Sequence, residues 1–275
     1  FLGGYMGLAI WPILARLSIN LWGWRVAFQI LGVAVWALLI IPAAIFVRRR
    51  PEDMGLTPDG VTQVGQSAEV FQQDRVPEVD EGLTLQSALR TRSFWFLNAA
   101  GCFMGLSMGG INLHQVPYMI DVGLHPNVAV VVLGAFALVG ALASLIWGLV
   151  TDRIPMHYAL AIGFFLATLG VFLLLGVRNL GVGYIYAAIY GFAVGGLPIA
   201  FAVAWAQYFG RRHVGSIMGF ATPFQAGTLA FGALFGGWVV DTLGTYQIAF
   251  LVYAASFFAG GVLAFFARAP LENGA

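Results

Sequence analysis

The fold class this sequence predicts is an all-α membrane protein with eight transmembrane helices, and three observations predict it. Hydrophobic residues make up 60% of the 275-residue chain and charged residues only 9%, against about 25% charge in an ordinary soluble domain. The apolar residues gather into blocks of about twenty, the length a helix needs to cross a hydrocarbon core about 30 Å thick. No segment alternates apolar and polar residues over about ten positions, as the strands of a membrane barrel do.

The blocks are Phe1 to Ile19, Val26 to Val47, Ser93 to Met119, Val128 to Val150, Tyr158 to Val177, Gly183 to Phe209, Val214 to Val240 and Ile248 to Ala267, numbered here as spans one to eight. The net charge of +1 gives no footprint for a nucleic-acid partner. The single cysteine, Cys102, lies inside span three, which excludes an internal disulfide and a thiolate metal cluster. No cofactor is implied. No signal peptide precedes span one, and the chain opens at Phe1 already within an apolar block, so it reads as an N-terminally truncated sequence.

Spans one and two are joined by a tight turn over Gly23 to Phe28. A hydrophilic bridge, Arg48 to Arg92, follows and holds eight of the twelve carboxylates in the chain. Within it Gly55 to Gly82 reads as linker. Thr84 is placed to cap a short amphipathic helix over 84–92, with Leu85, Ala88 and Leu89 on one face. The predicted division is therefore 1–47, two transmembrane helices; 48–92, the bridge; and 93–275, a block of six helices.

There is no lysine, and ten of the thirteen arginines fall on the side that holds the bridge. The positive-inside bias makes that side, with the C-terminus, cytoplasmic. Trp22, Trp24, Tyr118, Tyr184, Trp238 and Tyr246 then sit at the outer interface, and Trp95, Trp147, Tyr158 and Tyr208 at the inner one.

The hairpin of spans one and two resembles that of spans seven and eight. Gly23-Trp24-Arg25-Val26-Ala27-Phe28 matches Gly244-Thr245-Tyr246-Gln247-Ile248-Ala249-Phe250, and both second helices end in an arginine followed by proline and glutamate. If spans three to eight are one six-helix block, spans one and two close an equivalent block that begins upstream. Two such parallel halves are an architecture of secondary transporters, with the substrate site near the midplane.

Gly101, Gly105 and Gly109 recur every fourth residue in span three, and Gly215, Gly219, Gly232 and Gly236 repeat the device in span seven, which allows helices to approach closely. Polar residues concentrate in spans three, six and seven, predicting that these face a cavity and that spans two, five and eight face lipid. Asn98, Ser107 and His114 in span three, Ser144 in span four, Tyr190 in span six, and Thr222 and Gln225 in span seven are the candidate cavity residues. Pro198 and Pro223 fall near mid-membrane, and each removes a backbone donor. His114 belongs at the outer mouth, either as part of an outer gate or substrate entry or simply as an interfacial hydrogen-bonding residue. Asp121 and His125 have i, i+4 spacing but stand on a loop, a poor metal site.

At the inner end of span four stands Gly148-Leu149-Val150-Thr151-Asp152-Arg153, and after span six come Phe209-Gly210-Arg211-Arg212 and Gly215-Ser216-Ile217-Met218-Gly219. This Gly-x-x-x-Asp-Arg pattern, in that place, resembles the major facilitator superfamily. The Gly-Trp-Arg turn and the Arg-Arg-Pro-Glu-Asp-x-Gly-Leu-x-Pro-Asp-Gly bridge resemble its monocarboxylate and oxalate/formate antiporter-like branches. The resemblance implies that the eight spans correspond to helices five to twelve of a twelve-helix fold. It also implies a gate motif of Gly148, Asp152, Arg153, Arg211 and Arg212, with Asp152 pairing near Arg211 or Arg212.

The chain departs from the family in two ways. Ile154-Pro155-Met156-His157 stand where further basic residues are frequent, and Ser144 stands where the carboxylate branches often carry an arginine. The function implied is secondary active transport of a small organic solute, such as a monocarboxylate or related organic anion, by alternating access. The expected setting is a multi-pass protein of the plasma or inner membrane, monomeric when complete, with a small-molecule substrate and the lipid bilayer as partners. A membrane-embedded enzyme is the first alternative, but it needs clustered reactive groups at one depth, and the four histidines stand on different joints. A receptor or scaffold is the second, and it requires neither the repeat nor the motif.

Overall fold

In the computed structural model the described residues are 2–46, 82–210 and 212–270. They form eight helices and no strand: α1 (Leu2–Phe46), α2 (Leu85–Leu89), α3 (Arg92–Asp121), α4 (Pro126–Thr151), α5 (Met156–Leu175), α6 (Leu180–Phe209), α7 (Val214–Leu243) and α8 (Gln247–Phe266). Among the described residues seven stretches are long and apolar enough to cross a membrane, namely Leu21–Ile45 within α1 and each of α3 to α8. The bridge from Arg48 to Glu81 lies outside the described residues. The chain divides into two compact units, one of residues 1–9 with 80–275 and the other of residues 10–79.

The described part of the second unit is most of α1. Spans one and two were expected to be separated by a turn over Gly23 to Phe28; instead they form one helical run broken at Gly23 alone, with φ 78° and ψ 163°. A positive φ brings a Cβ against the backbone, so glycine is the residue at which a helix can break this way. Beyond it the stretch to Ile45 turns large apolar side chains outward, including Phe28, Val33, Trp36 and Leu39.

In the first unit the bridge ends as an ordered cap. Thr84 accepts from the Ser87 N–H at 3.3 Å and starts α2, as its position predicts. The helix stops at Leu89, short of the expected Arg92, because Thr91 begins a new cap and accepts from Phe94 N–H at 3.3 Å to open α3. Ala88 is fully buried and Leu85 and Leu89 pack beside it, while Gln86, Ser87 and Arg90 are exposed.

Helices α3 to α8 associate chiefly as three pairs, α3 with α7, α4 with α6 and α5 with α8; α3 also packs on α8, and α5 on α6. Lipid supplies no hydrophobic drive between helices, so close backbone approach and interhelical hydrogen bonds must hold them. In the α3–α7 pair the partners climb together, Gly101 against Gln225, Gly105 against Thr228 and His114 against Gly236, so the two helices are parallel. The α4–α6 pair is parallel on the same criterion, from Val132 against Gly183 to Trp147 against Gly196. Helices α5 and α8 are antiparallel, with Tyr158 against Phe265 and Phe165 against Phe258.

The interior is aromatic. Phe136, Tyr190 and Tyr186 stack in a column with centroid separations of 5.6 Å and 5.4 Å, each such pair adding about 0.5–1.5 kcal/mol beyond area burial. Here the polar residues of α6 depart from expectation: Tyr186, Tyr190 and Trp205 are buried inside the unit, and α7 is the helix that faces outward. Trp147, Tyr118 and Tyr208, expected at the interfaces, are buried too. Their polar tips are satisfied internally: Trp147 Nε1 donates to Phe192 O at 3.1 Å, Tyr118 to Leu175 O at 2.9 Å and Tyr208 to Ala267 O at 2.7 Å. A hydroxyl or indole with a carbonyl in reach no longer needs the membrane surface. Helices α5 and α8 keep an exposed apolar face, with Ile162, Leu169, Phe172, Leu251 and Phe258, as expected of helices that meet lipid.

Candidate functional site

Three polar regions lie along the first unit, and the α3–α7 seam carries the greatest share of the expected site. The seam exists because α3 has glycine wherever α7 comes closest. A Cβ on Gly101 would stand 2.6 Å from Gln225 Nε2, one on Gly105 would stand 2.6 Å from the Gln225 carbonyl oxygen, and one on Gly109 would overlap the Leu229 carbonyl. From the other side Gly232 lies on the Leu106 carbonyl. Gly215 and Gly219 take no part, since no atom stands within 4 Å of where their Cβ would be.

Gln225 Nε2 donates across this seam to Asn98 Oδ1 at 3.3 Å. Thr228 donates to the Gln225 carbonyl at 2.9 Å. Asn98 is buried, Gln225 is half-buried, and Thr222, one turn before it, is exposed with its hydroxyl given to Met218 O at 2.7 Å. Gln225 stands about 17 Å along α7 from Val214, and Asn98 about 9 Å along α3 from Arg92, at 1.5 Å per residue.

Toward the far end of the seam, His114 lies between α3, α7 and α8. It is 8% exposed, its Nε2 is 2.9 Å from Ala233 O, and its ring is 5.4 Å from that of Tyr246. This corrects the expectation of an open mouth, for Gly236 leaves the hollow that the imidazole fills. Tyr253 donates to Gly232 O at 2.6 Å, and Ser107 donates to Tyr253 O at 2.9 Å, so Ser107 fastens α3 to α8. Nearby, burial and then the carboxylates of Asp121 and Asp241 hold the Tyr246 hydroxyl above its ordinary range.

The third region is the α4–α5 joint at the arginine-rich end. A cavity of about 540 Å³ opens there, lined by residues 151–157 with Gln207, Tyr208 and Ala269. Thr151 returns its hydroxyl to Gly148 O at 2.9 Å, and Asp152 and Arg153 are exposed. At Gly148, the first residue of the motif, no atom of a neighbour lies within 4 Å of the Cβ position. Among the described residues Asp152 makes no ion pair, and Arg211 lies outside them. Arg212 instead packs its backbone beside Gly82, whose Cβ would be 3.3 Å from that of Arg212, and the next residue, Leu83, donates its N–H to Phe209 O at 2.9 Å.

The structure thus brings together Asn98, Gln225 and, at the edge, Thr222. It separates them from the other candidates. Ser107 and Tyr190 are enclosed by the unit's own helices, and Ser144 is 7% exposed with its hydroxyl on Ala141 O at 2.7 Å. Tyr186, which donates to Gln115 Oε1 at 2.7 Å in the interior, and Tyr253, which donates to Gly232 O, stood outside the candidate set. Their only signal is that a tyrosine in an apolar span needs a partner for its hydroxyl. Among the described residues no three His, Cys, Asp or Glu side chains group to hold a metal ion.

The sequence matches the family described as Major Facilitator Superfamily over residues 1–225 and again over 96–275. It is similar to Monocarboxylate transporter 12-B of Danio rerio, 24% identical over 96% of this chain and 58% of that protein. It is also similar to a probable hexose phosphate transport protein of Chlamydia trachomatis serovar D, 24% identical over 85% of this chain and 54% of that protein. The chain therefore spans little more than half the length of these relatives.

Proposed function

Since the chain belongs to the major facilitator superfamily, we infer that it is the larger part of a secondary transporter that carries a small organic solute, of the monocarboxylate class, by alternating access. It is a multi-pass membrane protein of apolar helices. In this reading the two segments of α1 correspond to helices five and six of the complete fold, and α3 to α8 to helices seven to twelve. Residues 1–47 then close the first half, 48–92 bridge the halves on the cytoplasmic side of the plasma membrane, and 93–275 form the second half.

The observation that carries the reading is the α3–α7 pair. Its helices are pressed together along glycine, yet α7 leaves most of its circumference uncovered, with Phe220, Phe224, Phe231, Leu234 and Trp238 outward and the Asn98–Gln225 amides at the edge of the seam. A folded half that leaves one core-length helix uncovered, with amides beside it, suits a lobe that meets a second lobe around a chamber. Asp152 and Arg153, exposed beside the 540 Å³ cavity, are free to engage a partner when the lobes close at that end. The monocarboxylate preference draws support from the name of the Danio rerio relative.

The test is uptake by the complete protein in proteoliposomes. Saturable counterflow of a labelled short-chain monocarboxylate is the expected result. Uptake no faster than in protein-free liposomes would remove the reading.

A further inference from the structure

We propose that the Asn98–Gln225 amide pair, with Thr222 at its edge, is the subsite that reads a hydroxyl group on the carried solute, an inference that rests on the transporter reading above. The bond from Gln225 Nε2 to Asn98 Oδ1 uses one donor and one acceptor of the pair. Gln225 keeps its carbonyl oxygen and a second N–H, and Asn98 keeps its two amide hydrogens. Among the described residues neither side chain has a further hydrogen-bond partner.

On the exposed edge Thr222 has given its hydrogen to Met218 O, so its oxygen presents lone pairs. Pro223 has no N–H, which deprives the Gly219 carbonyl of its usual helical donor, and the space beside Gly219 is open. The patch is therefore neutral, and it holds donors as well as acceptors.

That mixture selects among ligand chemistries. A carboxylate or phosphate only accepts, so it would bond the free amide hydrogens but leave Gln225 Oε1, Thr222 Oγ1 and the Gly219 carbonyl without a donor. Burying such a charge with no cation beside it is also strongly unfavourable. The charged side chains of α3 and α7 stand at the helix ends; between them lie the Cys102 thiol, one turn from Asn98 and beside Thr228, and His114, which lies against Gly236, three turns beyond Gln225. An ammonium only donates and would face the amide hydrogens. A hydroxyl does both, and the pair can hold it as donor and acceptor at once. The ligand class is a hydroxylated small organic acid, whose anionic group is met away from this pair.

The test uses the complete protein in proteoliposomes and two probes, L-lactate and propionate, which differ only by the 2-hydroxyl. A site built to hydrogen-bond a hydroxyl discriminates strongly against an analogue that lacks it, so kcat/KM for L-lactate is expected to exceed that for propionate by about tenfold or more. In Gln225→Leu, and in Thr222→Val, whose exposed position spares the fold, the ratio should fall toward about one. A ratio near one in the unaltered protein, or one that the substitutions leave unchanged, overturns the hydroxyl subsite and leaves the transporter reading standing. Uptake of neither probe overturns the monocarboxylate reading and this subsite with it.

Discussion

Tyr186 and Gln115 are joined by a 2.7 Å hydrogen bond from hydroxyl to side-chain carbonyl in the interior of the bundle, where neither residue is more than 1% exposed. A span with few polar atoms can bury them only in pairs, and removing the tyrosine hydroxyl leaves the Gln115 side-chain oxygen without its donor. Tyr186→Phe is expected to destabilise the protein by about 1–3 kcal/mol. Adding Gln115→Leu should recover part of that loss, because both polar groups are then gone. Thermal unfolding of the purified single and double variants measures this, and a double variant no better than the single would refute the pairing.

Close approach of α3 and α7 sets the second expectation. Gly109→Val places a side chain on the Leu229 carbonyl, whereas Gly134 and Gly215 have open space at the same point. Gly109→Val should therefore cost at least about 3 kcal/mol, the upper end of ordinary overpacking, and Gly215→Ala should be near neutral. The monodisperse yield and melting temperature of the two variants separate them. Equal tolerance would mean that the seam is not where the bundle is held.

How far such contacts can be read from sequence depends on the kind of signal. The limits of α3 to α8 lie within a few residues of the apolar blocks, because caps such as Thr91 and Asn179 and breakers such as Pro155 and Gly244 mark them. The glycines of α3 also pointed to a close helix contact, and they make one. Which way a polar side chain turns was not legible. Tyr190 and Ser107 look in sequence like Thr222, yet the first two are enclosed by helices distant in the chain. The joint of spans one and two was overread, since a helix can break at a single glycine without the rest of a turn.

The end of the bridge yields a third expectation. Leu83→Pro removes the N–H that reaches Phe209 O at 2.9 Å, a bond with a net worth of about 0.5–1.5 kcal/mol. Amide exchange over residues 84–91 should quicken by up to about tenfold while α4 and α5 are unchanged. Exchange that stays at the unaltered rate would show that α2 is held by its apolar face alone.

A fourth concerns the α4–α5 joint. Asp152 is exposed and caps α4 with its backbone, so Asp152→Asn leaves the fold intact. If its charge biases a gate by about 1.4 kcal/mol, uptake by the complete protein changes about tenfold. Membrane insertion and melting temperature should not change. Uptake equal to that of the unaltered protein removes Asp152 from the gate.

The most direct measurement follows one position from both sides of the membrane. In the complete protein with Cys102→Ala, a cysteine at Thr222 is exposed to a membrane-impermeant maleimide applied to one face and then to the other, with and without L-lactate as the trial solute. A two-lobed carrier predicts that adding the solute raises the labelling rate from one face as it lowers the rate from the opposite face. Labelling from a single face, unmoved by the solute, would contradict alternating access.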